Sequence, residues 1–309
     1  MRALLHNRRA LAGAGILVFF SLVAIFAPEI APYSPNDINF VPMLGVSAKH
    51  LLGTTPQGQD VFSQLVYGSR DSLEVGAITA TVISLIQLVM GVFSGYVGGW
   101  VDAVLSSITN IFLVLPGLVL LIVITSYATN KSLGVIIGVL AITGWAWGAR
   151  VLRSQAIALR DRPFIEAARM SGERPWHIAV FNIVPNMFGI LVANFFGAAL
   201  YAVLAEAGLN FLGLGNVNEV SWGTMLYWAQ SANAMLLGQW IYLLVPGLCI
   251  LALGTGFGLL NFAVDEVADP RLRRNEPAPA KATVAPSLGL VGPPGELVDE
   301  GAGLSPGRG

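Results

Sequence analysis

Six stretches of the chain run uncharged for long enough to cross a lipid bilayer: Ala10 to Ala27, Val75 to Val101, Ala103 to Asn130, Ser132 to Ala149, Ile178 to Ala205, and Val220 to Val264. About 20 apolar residues span the hydrocarbon layer as a helix. The pattern therefore predicts an all-α integral membrane protein with six transmembrane helices, the last near Trp240 to Ala263. Composition agrees: 11% of residues are charged and the mean hydropathy is +0.69, against roughly 25% charged residues in soluble domains. A water-soluble fold is excluded on these grounds.

The basic residues set an expected orientation. With the N-terminus inside, the cytoplasm receives the region around Asp102, the segment 150–177 and everything after Val264. Of the 17 Lys and Arg residues, 14 then lie inside, and Lys49, Arg70 and Lys131 are the 3 outside. The positive-inside rule favours this topology, with both termini cytoplasmic. The run after Arg8 and Arg9 also has the look of a secretory signal, but its 18 residues exceed the usual ~7 to 15-residue core, and we read it as a span. The single cysteine, Cys249, lies in the sixth span as a small apolar residue and has no partner for an intrachain disulfide.

This gives a cytoplasmic N-terminus at 1–9, a membrane domain at 10–274 and a Pro-, Gly- and Ala-rich tail at 275–309 with no periodicity, expected to be disordered. No internal repeat is visible. The extracytoplasmic segment 28–73 carries five prolines and then "GQDVFSQLVYGSRDSL", read as irregular chain followed by a short helix at the outer membrane surface. Glycines recur at four-residue spacing (Gly91, Gly95 and Gly99; Gly134 and Gly138; Gly254 and Gly258), a pattern that lets helix backbones approach closely. Pro116, Pro185 and Pro246 lie in or at the ends of spans and invite kinks.

One long polar stretch interrupts the apolar pattern, "EAARMSGERPWHIAVFNIVPN" from Glu166. Pro163 suits the first turn of a helix through "FIEAARM", in which Ala167 and Ala168 are expected to form one smooth, small surface. Gly172 suits a left-handed helix stop, and Pro175 can open a second helix through Trp176 and His177 into the fifth span. A basic loop obeying the charge rule accounts for Arg150, Arg153, Arg160 and Arg162. It does not account for Glu166, paired alanines, a spaced glycine and a downstream proline together. A small-faced helix protruding from a membrane implies a partner protein with a matching groove.

"EAARMSG" followed by "IVP" resembles the loop through which membrane subunits of bacterial ABC importers dock on their ATPases. Glu166, Ala167, Ala168 and Gly172 match its pattern, with Ile183 and Pro185 close to its later positions. "LGTTPQGQDVFSQLVYGSRDSL", "EAGLNFLGLG", "SWGTML" and "DPRLRR" resemble the oligopeptide, dipeptide and nickel branch, in its second (C-type) permease subunit, over about residues 5–274. Gln59 and Asn210 depart from that branch, which usually has arginine and serine there.

The resemblance implies a type I importer permease fold in a bacterial plasma membrane. It implies a heterodimer with a homologous permease, one or two cytoplasmic ATPases binding ATP and Mg, and an extracytoplasmic solute-binding protein. Neither a cofactor in this chain nor a nucleic-acid partner is expected. The implied ATPase-coupling loop comprises Glu166, Ala167, Ala168, Arg169, Met170, Ser171, Gly172 and Glu173, with Pro185; Glu206 and Asn210 are candidates for lining the translocation path. The chain has no Gly-x-x-x-x-Gly-Lys-Ser/Thr phosphate loop, so the motor belongs to another polypeptide. Two alternatives fit less well. An ion-coupled secondary transporter usually carries ionisable residues deep in the membrane, and the interiors of the second, third and fourth runs have none. A membrane enzyme lacks a site, since His6, His50 and His177 are scattered and no His-Glu-x-x-His occurs.

The charge split makes a topological prediction. With an impermeant thiol reagent on whole cells, Ser34→Cys is labelled and Ser171→Cys is protected until the cells are opened. The reverse pattern overturns the orientation.

Overall fold

The computed structural model describes residues 7–128 and 131–268. The tail expected from Asn275 lies outside them. Among the described residues the secondary structure is helical, with one isolated bridge between Thr54 and Asp60. Helix α1 (Arg8–Ile25) is capped by Asn7, whose side chain accepts from the Arg9 N–H. Helix α2 (Val61–Gln87) continues through a wide π turn at Leu88–Phe93 into a last turn at Ser94–Val97.

The separate surface helix expected over "GQDVFSQLVYGSRDSL" is not formed. Asp60 caps α2 directly, accepting from the Ser63 N–H at 2.8 Å, and no proline interrupts the residues that follow. Their polar side chains turn inward: Ser63, Gln64, Ser69 and Ser72 are all buried. Gln64 Nε2 donates to the Pro35 carbonyl at 3.2 Å, so the preceding irregular segment covers this face. That segment has its own small core, where Tyr33, Phe40 and His50 stack with centroids 4.7 to 5.3 Å apart and His50 Nδ1 lies 2.9 Å from Asp60 Oδ1.

The third and fourth apolar runs are each broken. Helices α3 (Gly99–Val114) and α4 (Gly117–Tyr127) meet at 89°, and α5 (Leu133–Gly144) and α6 (Ala146–Arg160) at 48°. Pro116 causes the first break: it forces Leu115 out of the helical region, to ψ 132°. Then come α7 (Pro163–Met170), α8 (Phe188–Phe211), α9 (Trp222–Ser231) and α10 (Trp240–Ala268). Pro246 sits inside α10 without breaking it. Four continuous helices are long and apolar enough to cross a membrane, and counting each bent pair as one span gives six.

Helix α8 packs on α2 and α10, and α1 on α10 and α2. Trp222 is fully buried, meeting Phe20 edge-on at 5.2 Å while its indole N–H donates to the Leu65 carbonyl at 2.9 Å. Polar ties replace some of the apolar contact, as where Asn261 Nδ2 donates to the Ala193 carbonyl at 2.6 Å, joining α10 to α8. Outward-facing side chains are apolar too: Trp100 is 78% exposed, Val114 82% and Leu236 87%. Exposed apolar surface on this scale requires lipid or a partner to cover it.

The glycine spacings separate on inspection. A Cβ at Gly91 would lie 2.5 Å from the Ala149 carbonyl oxygen, and one at Gly95 2.6 Å from that of Arg153, so the end of the second span presses backbone against α6. Gly134 and Gly138 face open space, a Cβ at Gly254 would sit tightly at 3.3 Å from the Leu200 side chain, and one at Gly258 would make an ordinary contact with it. Overpacking a close contact costs about 1 to 3 kcal/mol. Gly95→Leu should therefore lower the thermal unfolding midpoint of the detergent-purified protein, while Gly134→Leu leaves it within a degree or so of the parent, close to the limit for changes away from packed sites.

Candidate functional site: the hairpin at one end of the bundle

Helix α6 runs past the end of its apolar stretch and turns at Asp161 into the hairpin. Arg162 is extended, Pro163 opens α7, and the helix closes at Gly172 with φ +79°. The closure is a Schellman motif: the Glu173 N–H donates to the Ala168 carbonyl at 3.2 Å and the Gly172 N–H to the Arg169 carbonyl at 3.0 Å. Pro175 opens the next turn, as the sequence predicts.

The passage into the fifth span is less direct than expected. Pro175–His177 is one helical turn, followed by a second π turn at Ile178–Ile183 and a short turn at Val184–Asn186 that holds Pro185. Helix α8 begins only after a break at Met187 (φ −105°, ψ 7°). Glu173 braces this route, with Oε2 accepting from Asn182 Nδ2 at 3.0 Å and paired with His177 Nδ1 at 3.0 Å.

The inner face of α7 is seated in an apolar cluster. Ile165 and Ala168 pack with Val92 and Tyr96 from the second span, Leu152 and Ala156 from α6, and Ile178, Ala179 and Ile183 from the second π turn. The Arg169 guanidinium lies 5.3 Å from the Tyr96 ring centroid. The expectation of one smooth alanine surface is thereby corrected: Ala167 is exposed and Ala168 is buried. The two alanines are 100° apart around a helix, so a seated helix cannot show both.

The outward face carries Glu166, Ala167, Arg169, Met170, Ser171 and Gly172. Met170 is 84% exposed, and Phe164, Trp176 and Phe181 are exposed around it. Sequence reading passed over Phe164 and Phe181 as part of this surface. Phe181 falls inside the uncharged run from Ile178, and neither residue has a charged neighbour in the chain, so no local signal marked them.

The other candidate pair lies at the far end of α8. Glu206 and Asn210 are one turn apart and buried, at 1% and 4% exposure. Asn210 Nδ2 donates to Glu206 Oε1 and, at 2.9 Å, to Ser221 Oγ, which caps α9. A Cβ at Gly223 would meet the Asn210 Cβ at 2.7 Å. The pair is packed beneath the loop joining α8 to α9. Gln59 lines a cavity of about 330 Å³ at this end, with Gln64, Asn218, Glu219 and Trp228.

A bundle of apolar helices long enough to cross a bilayer, with an internally braced hairpin at one end, is the architecture of a membrane-embedded protein. Residues 87–274 match the family of binding-protein-dependent transport system inner membrane components, and residues 1–44 match the N-terminal membrane domain of oligopeptide transport permease C. The chain is 32% identical over 275 residues to the dipeptide transport system permease protein DppC of Bacillus subtilis, covering 88% of this chain and 85% of that one. It is 34% identical over 282 residues to the oligopeptide transport system permease protein OppC of Mycobacterium bovis (89% and 95%). It is also 32% identical over 260 residues to the probable D,D-dipeptide transport system permease protein DdpC of Escherichia coli (84% and 86%). The chain belongs to the binding-protein-dependent inner membrane transport family. It is a membrane-spanning permease subunit, and the ion-coupled alternative is set aside.

The buried position of Ala168 makes a prediction that differs from one for an exposed loop residue. Ala168→Trp overfills the cluster beneath α7 and should unseat the hairpin, seen as faster proteolysis at Arg169 or Arg174 in the detergent-purified protein. Ala167→Trp should leave the cleavage rate within about twofold, as expected of an exposed position.

Proposed function

We propose that this chain forms the translocation path of an ATP-driven peptide importer together with a homologous permease. The hairpin from Glu166 to Glu173 docks in a cytoplasmic ATPase, and both termini and the hairpin lie on the cytoplasmic side. Peptide as the substrate class rests on the relatives, which are dipeptide and oligopeptide permeases of which the match covers 85% and 95%. ATP and Mg belong to the ATPase subunits, and an extracytoplasmic solute-binding protein delivers the substrate.

The observation that carries the docking role is the hairpin's construction. Its backbone is closed by its own hydrogen bonds and its inner face is anchored, yet Met170, Phe164 and Trp176 stand uncovered between Glu166, Arg169 and Arg174. A shaped, partly apolar surface outside the spans fits a protein groove and gains nothing from water.

Mechanism follows from linkage. ATP closing the motor moves a docked hairpin, which continues from α6 and leads through the short turns at 175–186 to α8, so nucleotide biases the inward and outward openings of the path. Converting a 1:99 preference into 99:1 takes about 5.5 kcal/mol of differential binding.

The test uses the complete importer in proteoliposomes. Ala167→Trp places bulk on the docking face, and overpacking of about 1 to 3 kcal/mol should weaken ATPase association roughly 5- to 150-fold while the permease pair stays assembled. The chain purified alone should hydrolyse no ATP. Unchanged ATPase association in Ala167→Trp, or turnover by the isolated chain after contaminants are removed, overturns the reading.

A further inference from the structure

Asp102 and Arg153 form the closest ion pair among the described residues, and they join α3 to α6. Arg153 Nε donates to Asp102 Oδ1 at 2.5 Å and Nη2 to Oδ2 at 2.7 Å, a bidentate grip. Ser94 Oγ donates to the same Oδ1 at 2.8 Å. One carboxylate therefore ties three pieces of chain: the last turn of the second span, the first turn of α3, and α6 two turns before it enters the hairpin.

Thr109 is the one buried residue of α3, and toward its other end Phe112 and Leu113 pack against the main apolar cluster, Phe112 meeting Trp145 at 5.3 Å. The helix starts at Gly99, and Gly98 and Gly99 have φ +69° and +59°, a backbone region that glycine enters freely. A Cβ at Gly99 would meet nothing within 4 Å. So α3 follows the second span across a glycine pivot, packs on α6, and is tied to α6 by the hydrogen-bonded ion pair. Helix α6 itself is pressed on the second span through Gly91 and Gly95 and does not need the pair to stay there. The pair is also partly shielded, with side-chain exposures of 32% and 21%, whereas Arg160 and Asp161 at 3.3 Å leave the aspartate 69% exposed. Exposed pairs contribute little; a shielded, bidentate one holds geometry.

We propose that Asp102 and Arg153 are positioning residues that make the third span follow the hairpin. Motion of the docked hairpin passes along α6 to Arg153, from there to Asp102, and turns α3 about Gly98 and Gly99. The third span then shares the displacement that α6 and α8 receive by direct connection. This rests on the reading of the hairpin as the ATPase-docking element, and the experiment separates the two.

The complete importer, with its partner permease, ATPases and solute-binding protein, is reconstituted in proteoliposomes with Asp102→Asn, Arg153→Lys, or the exchange Asp102→Arg with Arg153→Asp. Arg150→Gln, an exposed arginine on the same helix, is the control. Three quantities are read: ATPase co-purification with basal hydrolysis, stimulation of hydrolysis by the loaded binding protein, and substrate imported per ATP. Both single variants should keep co-purification and basal hydrolysis within about twofold and lose about tenfold in stimulation and in import per ATP, a loss within the usual range of coupling between sites. Arg153→Lys keeps the charge and loses the two-pronged geometry, so it reads geometry apart from charge. The exchange should recover most of the loss.

Unchanged stimulation in the single variants overturns the proposal. So does an exchange that recovers nothing, because the effect then does not belong to the contact. Loss of ATPase co-purification in the single variants also overturns it, since the pair would be seating the hairpin and not conveying its motion. Failure of the docking reading itself appears elsewhere, as normal ATPase association in Ala167→Trp.

Discussion

Inside a bilayer no water can replace a lost backbone hydrogen bond, so a crossing chain stays helical unless its own atoms satisfy every break. The architecture follows from where this chain breaks and how each break is repaired. At Leu115 the N–H still reaches the Ile111 carbonyl at 3.2 Å, and the Leu120 N–H reaches back to Pro116 at 3.0 Å. At Met187 the N–H bonds to Val184 at 3.0 Å before α8 starts. The Gly98 N–H bonds to Ser94 at 3.1 Å, and the chain then reverses on two left-handed glycines. The hairpin and the Asp102 contact both sit beside such places, where the chain has left the straight helix and polar side chains find room.

Helix α6 is the member shared by these features. It takes the close backbone approach at Gly91 and Gly95, contributes Leu152 and Ala156 to the hairpin's seat, and carries Arg153. The second span meets it through a π turn, and another π turn lies in the same cluster, where Val92 packs with Ile178, Ala179 and Ile183. A π turn widens the helix by an extra residue and is seldom kept without a local reason. Here one of them carries Gly91 at the contact with α6.

What the sequence made legible was whatever covalent geometry or charge decides by itself. Long uncharged runs announce the spans, and Pro163, Gly172 and Pro175 set the backbone of the hairpin through fixed or permitted φ angles. Facing was not legible. Which of Ala167 and Ala168 turns inward depends on Val92, Tyr96 and Leu152, distant in the chain. The start of α2 was misplaced because Ser63, Gln64 and Ser72 look like surface residues until the segment before them folds over. The burial of Glu206 was not legible either, because it depends on Ser221 and the loop before α9. Asp102 and Arg153, 51 residues apart, leave no local pattern at all.

The Schellman closure at Gly172 has a kinetic consequence. A loop that becomes ordered only on meeting its partner loses conformational freedom at that moment, and its affinity suffers by that amount. This hairpin already has its final hydrogen bonds at Glu173 and Gly172 and its final seat at Ile165 before anything touches it. On the proposed docking role, encounter with an ATPase needs no folding of the hairpin, and the lifetime of the joint is governed by how fast the groove lets go. A joint of that kind can carry force in both directions without first having to fold.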